Sequence, residues 1–359
     1  MTQALRIGYA PFSDNFLHPA DRRRFAGYAK ARGLTIEVAK PDERYDLVVV
    51  SEIADVPAWA GYRGGKVVFD FIDSYLAIPR SDLRQLLRGI VWYANGRHSR
   101  LRLDFKGALE AMCSRADAVV CTTSGQKADI GAFCPNVHVI LDIHDYVLRD
   151  RKRDFTAGSP FKLVWEGLPS NISQIEAIAP VLRQLSKRAP LELHVVTDAD
   201  RPGALPALPR IGSDGVVRKL FDRAVLHRWD EKTLADIVTG CDVAIIPIET
   251  SDPLTRGKPG NKLALLWRMG MPVVTSDTPA YRQMQHSAGT GDLVCGNHAE
   301  WTAALERLMA SEAARREAGE RGHTYVSENL NTTRLLALWD EVFASLGFDF
   351  RADNRDKSA

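Results

Sequence analysis

Residues 242–276 read DVAIIPIETSDPLTRGKPGNKLALLWRMGMPVVTS, and the order of residue types in this stretch decides the fold. An unbroken apolar run, 243–248, feeds a loop carrying Arg256, Gly257, Lys258 and Gly260. Helical spacing begins near Asn261 and stops at Gly270, and Pro272 opens another apolar run, 272–275. Strand, loop, helix and strand in so short a span make a parallel βαβ unit, with strands covered on both faces because their apolar runs do not alternate.

The same alternation extends in both directions from this segment. Toward the amino terminus of the second half, strands are predicted near 162–166, 191–196 and 225–228, with helices over 171–188 and 231–239. Beyond the helix at 261–269 come helices at 279–286 and 298–310, a strand at 293–294, and a last helix from about 332 to 346. The first half repeats the pattern, with strands at 5–9, 35–39, 47–51, 67–71, 118–122 and 137–141 and helices at 20–32, 82–94, 100–115 and 124–133. Between the halves lies VLRDRKRDFTAGSP (147–160), a charged stretch ending in Gly-Ser-Pro that marks the domain boundary. The expected architecture is α/β, two Rossmann-like domains with parallel sheets, 1–150 and 151–330, facing a cleft at the carboxyl ends of their strands. The polar end, 349–359, is expected to be disordered.

With 359 residues, 45% of them apolar, each half has enough material for its own core. Lys plus Arg (47) nearly balance Asp plus Glu (45), which argues against a dedicated nucleic-acid binder. The five cysteines (Cys113, Cys121, Cys134, Cys241, Cys295) form an odd set without a C-x-x-C pair and read as reduced thiols of a cytoplasmic protein. MTQALRIGYA leads straight into a strand with no signal-peptide hydrophobic region, and no apolar run reaches the 18 or so residues of a spanning helix.

Several site motifs fail. No G-x-G-x-x-G follows the first strand, and AGYRGGKV (60–67) lacks the leading glycine and the Ser or Thr of a P-loop. Neither H-E-x-x-H nor G-x-S-x-G occurs. Asp198-Ala199-Asp200 has a D-x-D form that fits a polar turn better than a metal site, so no metal is assigned.

The helix start at Asn261 is more informative. Free amides and the helix dipole favour an anion there and disfavour cations, yet Lys258 and Lys262 flank it. A phosphate or diphosphate would compensate them, with Gly257 and Gly260 admitting a close backbone approach. A solvated loop whose lysines point away is the competing reading.

This segment resembles the donor-site region of GT-B-fold glycosyltransferases of family 4 (group 1). The nearest pattern is a bacterial subgroup's R-G-K-x-x-x-K-L, a helix, then G-x-P-V-V-x-S, which stands here as Arg256-Gly257-Lys258, Lys262-Leu263, Gly270, Pro272-Val273-Val274 and Ser276. HRWDEKTLADIVTGCDVAIIPI (227–248), LVWEGLPSNISQIEAIAPVLRQL (163–185), Glu300-Trp301 and GHTYVSENLNTTRLLALWDEVF (322–343) are similar to the same subgroup in the same order. In the first half the likeness is looser, resting on VVFDFIDSY (67–75), RADAVVCTTSGQKADI (115–130) and ILDIHDYV (140–147). The resemblance implies a last helix, 331–348, that crosses back to the first domain. It also implies transfer of a sugar from a nucleoside-diphosphate sugar, without metal or other cofactor, to a glycan, lipid-linked or small-molecule acceptor in cell-surface polysaccharide or glycoconjugate synthesis. The hexosyltransferase type and a retaining outcome come with it.

Most members carry two glutamates separated by seven residues; the matching positions here are Gly257 and Leu265. Their loss keeps two rivals open, a non-catalytic GT-B relative that binds nucleotide or glycan, and a sugar-nucleotide epimerase of the same fold. On the resemblance, Arg256, Lys258 and Lys262 meet the diphosphate. Asn261 belongs to that helix start, Gly167 approaches from the opposite loop, and Glu249, with Ser251 and Asp252, offers substitute polar groups. Ser170 and Asn171 read more simply as a helix cap. Candidates for the acceptor side are Asp70 and Asp73 at a strand end, and Asp142, His144 and Asp145 near the hinge. His18 in the first strand–helix loop joins them, and each has an alternative structural role.

One further stretch stands out. Residues 80–106 hold seven basic residues against two acidic ones, interleaved with Leu86, Leu87, Ile90, Val91, Trp92 and Tyr93. It reads either as a basic face whose apolar side enters the core or as a contact for anionic membrane lipid, placing the enzyme peripherally on the inner face of the cell membrane.

Overall fold

A computed structural model describes residues 5–144, 151–198, 200–201 and 211–351. The chain divides into two compact units, Met1–Asp142 with Thr332–Ala359, and Ile143–Asn331. Part of the 147–160 boundary stretch and most of the 349–359 tail lie outside the described residues.

The first unit is built on six parallel strands: β1 (Ile7–Ala10), β2 (Ile36–Val38), β3 (Leu47–Ser51), β4 (Lys66–Asp70), β5 (Ala118–Cys121) and β6 (Val137–Val139). Their order across the sheet is β2-β1-β3-β4-β5-β6. The central strands are apolar runs rich in β-branched residues, such as Leu47-Val48-Val49-Val50, fully buried, as a sheet covered on both faces requires.

The Thr332–Ala344 helix belongs to this unit. Its Trp339 and Phe343 pack on Phe25 and Tyr28 of the Phe25–Arg32 helix, with ring centroids 5.2–6.0 Å apart. Tyr28 Oη donates to Asp340 Oδ1 at 2.8 Å, and Arg32 pairs with the same carboxylate. Four buried aromatic rings, each worth about 2 kcal/mol or more, explain why the chain's end returns to its first unit.

The second unit has β7 (Phe161–Glu166), β8 (Leu191–Thr197), the short antiparallel pair β9 (Asp200–Arg201) and β10 (Ile211–Gly212), then β11 (Ala224–Arg228), β12 (Val243–Ile246), β13 (Val273–Ser276) and β14 (Val294–Cys295). The main sheet runs β11-β8-β7-β12-β13-β14, all parallel. That is the doubly wound order, reversing direction between β7 and β12. All five cysteines are buried free thiols.

Several helices differ from the sequence expectation: the one predicted over 20–32 breaks at Arg24 into Pro19–Arg23 and Phe25–Arg32, Val56–Trp59 and Ser213–Leu220 were not expected, and three more differ for visible reasons. The one predicted from 100 starts only at Phe105, because Asp104 caps it by accepting from the Gly107 amide at 2.8 Å. The 171–188 helix is a 3-10 segment, Pro169–Ile178, followed by an α-helix, Ala179–Ser186. Between 310 and 332 stands a helix with no counterpart in the sequence reading, Glu312–Asn329. Its residues are mostly polar and include Gly319 and Gly322, which look like breakers. A Cβ at Gly322 would lie 2.2 Å from Trp267 Cδ1 and one at Gly319 2.4 Å from the Gly270 carbonyl oxygen. These glycines let two helices touch.

Candidate functional site

The switch between β7 and β12 is where such a sheet presents its ligand crevice. The chain leaves β7 at Glu166-Gly167 and β12 at Pro247-Ile248-Glu249. Ser276 at the end of β13 accepts the Ile248 amide on its Oγ at 2.8 Å, setting the direction in which that loop departs. The loop makes one helical turn, Pro253–Arg256, capped by Asp252 on the Leu254 amide at 3.2 Å. It then enters the Asn261–Arg268 helix, whose N-cap is Gly260, so no side chain satisfies its first amides.

Two lysines crowd that helix start. Lys262 folds back over Trp165, with Nζ 4.7 Å from the ring centroid. Part of the side chain still reaches solvent, but the ammonium itself is packed among protein atoms. Burial pushes the Lys262 pKa down to about 8; Glu166 pulls it up and Lys258 pushes it further down. Gly167 makes the arrangement possible, since a Cβ there would stand 2.6 Å from Lys262 Nζ and 2.8 Å from Trp165 Cη2. Lys258 Nζ donates to Asn171 Oδ1 at 3.1 Å. Asn171 thus ties the lysine loop to the segment after β7, and Leu168 starts that segment's helix with no side-chain cap. Asn261 Oδ1 is buried without a hydrogen-bond partner.

The other predicted residues fall around this centre with different roles. Gly260 owes its identity to packing, because a Cβ would lie 2.0 Å from Met284 Sδ. Gly257 closes the Pro253–Arg256 turn at an ordinary φ of −80°, and Arg256 is exposed at its end. Glu249 is exposed and accepts the Ser251 amide on Oε1 at 3.0 Å, a bond that holds its carboxyl below the usual range. Its own amide is held by Gln174 Oε1.

Residues 168–311 match the family model described as "Glycosyl transferases group 1". The solved structure of TarM is similar to the chain with a TM-score of 0.59 at 12% identity, over 83% of this chain and 54% of that one. A point mutant of S. aureus TarM, in complex with Fondaparinux, alpha-GlcNAc-glycerol and UDP, gives 0.58 at 12% identity, over 83% and 55%. An alpha,alpha-trehalose-phosphate synthase (UDP-forming) from Burkholderia xenovorans, in complex with glucose-6-phosphate, gives 0.53 at 12% identity, over 93% and 84%. At such identity the likeness is one of fold, which is GT-B, and the chain spans about half the length of TarM. No curated protein sequence matches the chain.

Within this matched region, the two positions that the resemblance aligns with a pair of glutamates present no acid. Leu265 is buried in its helix and Gly257 has no side chain. Among the described residues, no three His, Cys, Asp or Glu side chains are placed to hold a metal ion. Asp198 of the D-x-D is exposed, while Ala199 lies outside the described residues, as does the side chain of Asp200.

In the first unit, Asp70 has no exposed surface. Both its oxygens accept from Arg24 Nε at 2.8–2.9 Å, and Arg24 Nη1 donates to Asp142 Oδ1 at 2.7 Å and to the Ile140 carbonyl at 3.0 Å. Burial pushes the Asp70 pKa up against the pull of Arg24. Asp70 and Asp142 therefore clamp Arg24 at the sheet's carboxyl edge, a structural use of Asp70.

Asp73 keeps partial exposure, and its Oδ2 accepts from Tyr75 Oη at 3.2 Å. Its amide donates to Glu52 Oε2 at 2.8 Å, as does the Ile72 amide at 2.9 Å. Glu52 is the acid the sequence reading missed; burial and the Asp73 charge push its pKa well above the usual range. Its signal was an acid directly after the buried β3 run. His18 stacks on Phe12 at 5.2 Å and accepts the Ala20 amide on Nδ1 at 3.2 Å, a helix cap. His144 is buried near the start of the second unit, and Asp145 lies outside the described residues.

Proposed function

We propose that the chain is a hexosyltransferase that takes its sugar from a nucleoside-diphosphate donor, without a metal, and retains the anomeric configuration. The observation that carries this reading is Lys262, its ammonium packed over Trp165 at an uncapped helix start, with Lys258 beside it. A cation there opposes the helix dipole and its own desolvation. A departing diphosphate would reverse both costs, accepting from the lysines, from Arg256 and from the free amides, with the Gly167 backbone close by. Asn261 Oδ1, buried and unpartnered, supplies an acceptor for a donor hydroxyl or amide. Preorganised positive charge meeting the charge that develops on the leaving group is the main catalytic contribution. On the acceptor side, partial exposure favours Asp73 over Asp70 for orienting a hydroxyl. The acceptor class is a glycan, a lipid-linked sugar or a small molecule, met at the inner face of the cell membrane.

Calorimetry with UDP, GDP and ADP tests the donor site. One of them binds, and Lys262→Ala weakens that binding by about tenfold or more, on the scale of one lost charge-assisted contact. No binding by any of the three, or an unchanged Kd in Lys262→Ala, overturns the reading. A second reading, a binder without turnover, is favoured by Gly257 and Leu265 where acids are expected; donor hydrolysis or sugar transfer would exclude it.

A further inference from the structure

We propose that the Leu83–Ala94 helix and the segment after it form a docking surface for anionic lipid. This goes beyond the donor reading and does not depend on it. Ordinarily a helix on a sheet turns its apolar stripe inward. Here Leu83, Leu87 and Ile90, spaced to share one face, are 73%, 57% and 41% exposed, and Tyr93 continues the stripe at 48%. The buried face carries Gln85, Gly89 and Trp92 instead. A Cβ on Gly89 would lie 1.8 Å from the Arg102 carbonyl oxygen, so the segment around 102 runs against this helix. That segment adds exposed Leu101 and Leu103.

Arginines surround the apolar stripe. The two acids of residues 80–106 are occupied by neighbours, Asp82 by Arg84 and Asp104 by Arg80. Arg97 lies over Trp92, 5.4 Å from the ring centroid, and among the described residues Arg100 and Arg102 have no acidic partner. The surface thus needs an apolar medium for its leucines and anions at the edge of that medium for its arginines. A bilayer bearing acidic headgroups provides both at the same depth. A second copy of this chain would bring the same arginines and repel. No helix among the described residues is long and apolar enough to cross a membrane, so contact of this kind is one of surface insertion.

Flotation with phosphatidylcholine vesicles, with and without phosphatidylglycerol, at low and high salt, tests the proposal in the absence of donor. The protein floats with the phosphatidylglycerol vesicles at low salt about tenfold more than with neutral ones, and salt releases it. Leu87→Glu/Ile90→Glu and Arg100→Glu/Arg102→Glu each lose most of this binding while keeping the parent's Tm, all four residues being exposed. Should the first pair fail to fold, the arginine pair still decides. Equal flotation with neutral vesicles, none with acidic ones, or unchanged flotation of both variants overturns the proposal. So does a concentration-dependent dimer abolished by Leu87→Glu/Ile90→Glu. UDP binding is measured separately, so failure of either reading leaves the other standing.

Discussion

Lys262 and Trp165 form a cation–π pair, ammonium to ring centroid 4.7 Å, in a space that the missing side chain of Gly167 leaves open. Such a contact returns about 2 kcal/mol when desolvated, less than the cost of burying the ammonium. The depressed Lys262 pKa expresses that shortfall. The pair holds a cation short of its full compensation, which on the proposed donor reading an arriving diphosphate would complete.

Gly167→Ala places a methyl 2.6 Å from the ammonium and 2.8 Å from the indole. The lysine must move, so UDP affinity falls by about tenfold while stability changes by about 1 kcal/mol. Calorimetry and a thermal melt on the same sample separate the two effects.

Binding of the diphosphate depends on pH with a definite sign. The folded free protein loses the Lys262 proton near pH 8, and the anion favours the protonated form. Affinity therefore weakens above pH 8 by up to about tenfold per unit, and binding at that pH takes up a proton, seen as a buffer-dependent calorimetric enthalpy. For the free protein the stability linkage has the opposite sense. The unfolded chain holds this proton to higher pH, so the contribution of Lys262 to stability rises as pH climbs from about 8 toward the ordinary lysine value of 10.5. A flat affinity profile between pH 7 and 9 would remove Lys262 from the binding site.

Asp70→Asn leaves the buried Arg24 guanidinium with Asp142 alone. Loss of one partner from a buried pair costs about 3 kcal/mol. Denaturant unfolding shows it as a lower midpoint with an unchanged slope, and Asp73→Asn, partly exposed, costs much less.

Asp340→Ala removes the acceptor of Tyr28 Oη and the partner of Arg32. The Thr332–Ala344 helix then exchanges its amides faster, with a stability loss of about 2 kcal/mol. Hydrogen exchange that speeds up uniformly through the first unit, instead of over this helix, would contradict the docking described here.

Gly322→Ala tests competing effects. Alanine gains about 1 kcal/mol in helix propensity, but its methyl would stand 2.2 Å from the Trp267 ring. Overpacking costs about 1–3 kcal/mol, so the net change is destabilising and Tm drops.

The two parallel sheets were legible in the sequence because buried parallel strands are near-continuous apolar runs, and 243–248 and 272–275 announce themselves by composition, whereas the order of strands across each sheet came from the structure. The Glu312–Asn329 helix was not, because its stability comes from close contact that Gly319 and Gly322 permit, and local propensity reads those glycines as breaks. The 80–106 stretch was ambiguous, since helical spacing shows that a stripe exists without showing which way it faces; in the structure Trp92 is buried while Leu83 and Leu87 face outward.

By itself, then, the sequence determined two α/β halves, the lysine-flanked helix start and the absence of its acidic partners. These are properties of order and residue type, and they need no partner from elsewhere in the chain. Only the tertiary structure decided that Asp70 belongs to Arg24, that Gly260 serves Met284, and that Gly167 makes room for Lys262. Each of those assignments depends on residues 24 to 95 positions apart meeting in space, and burial, which sets the charge a side chain can hold, exists only once they do.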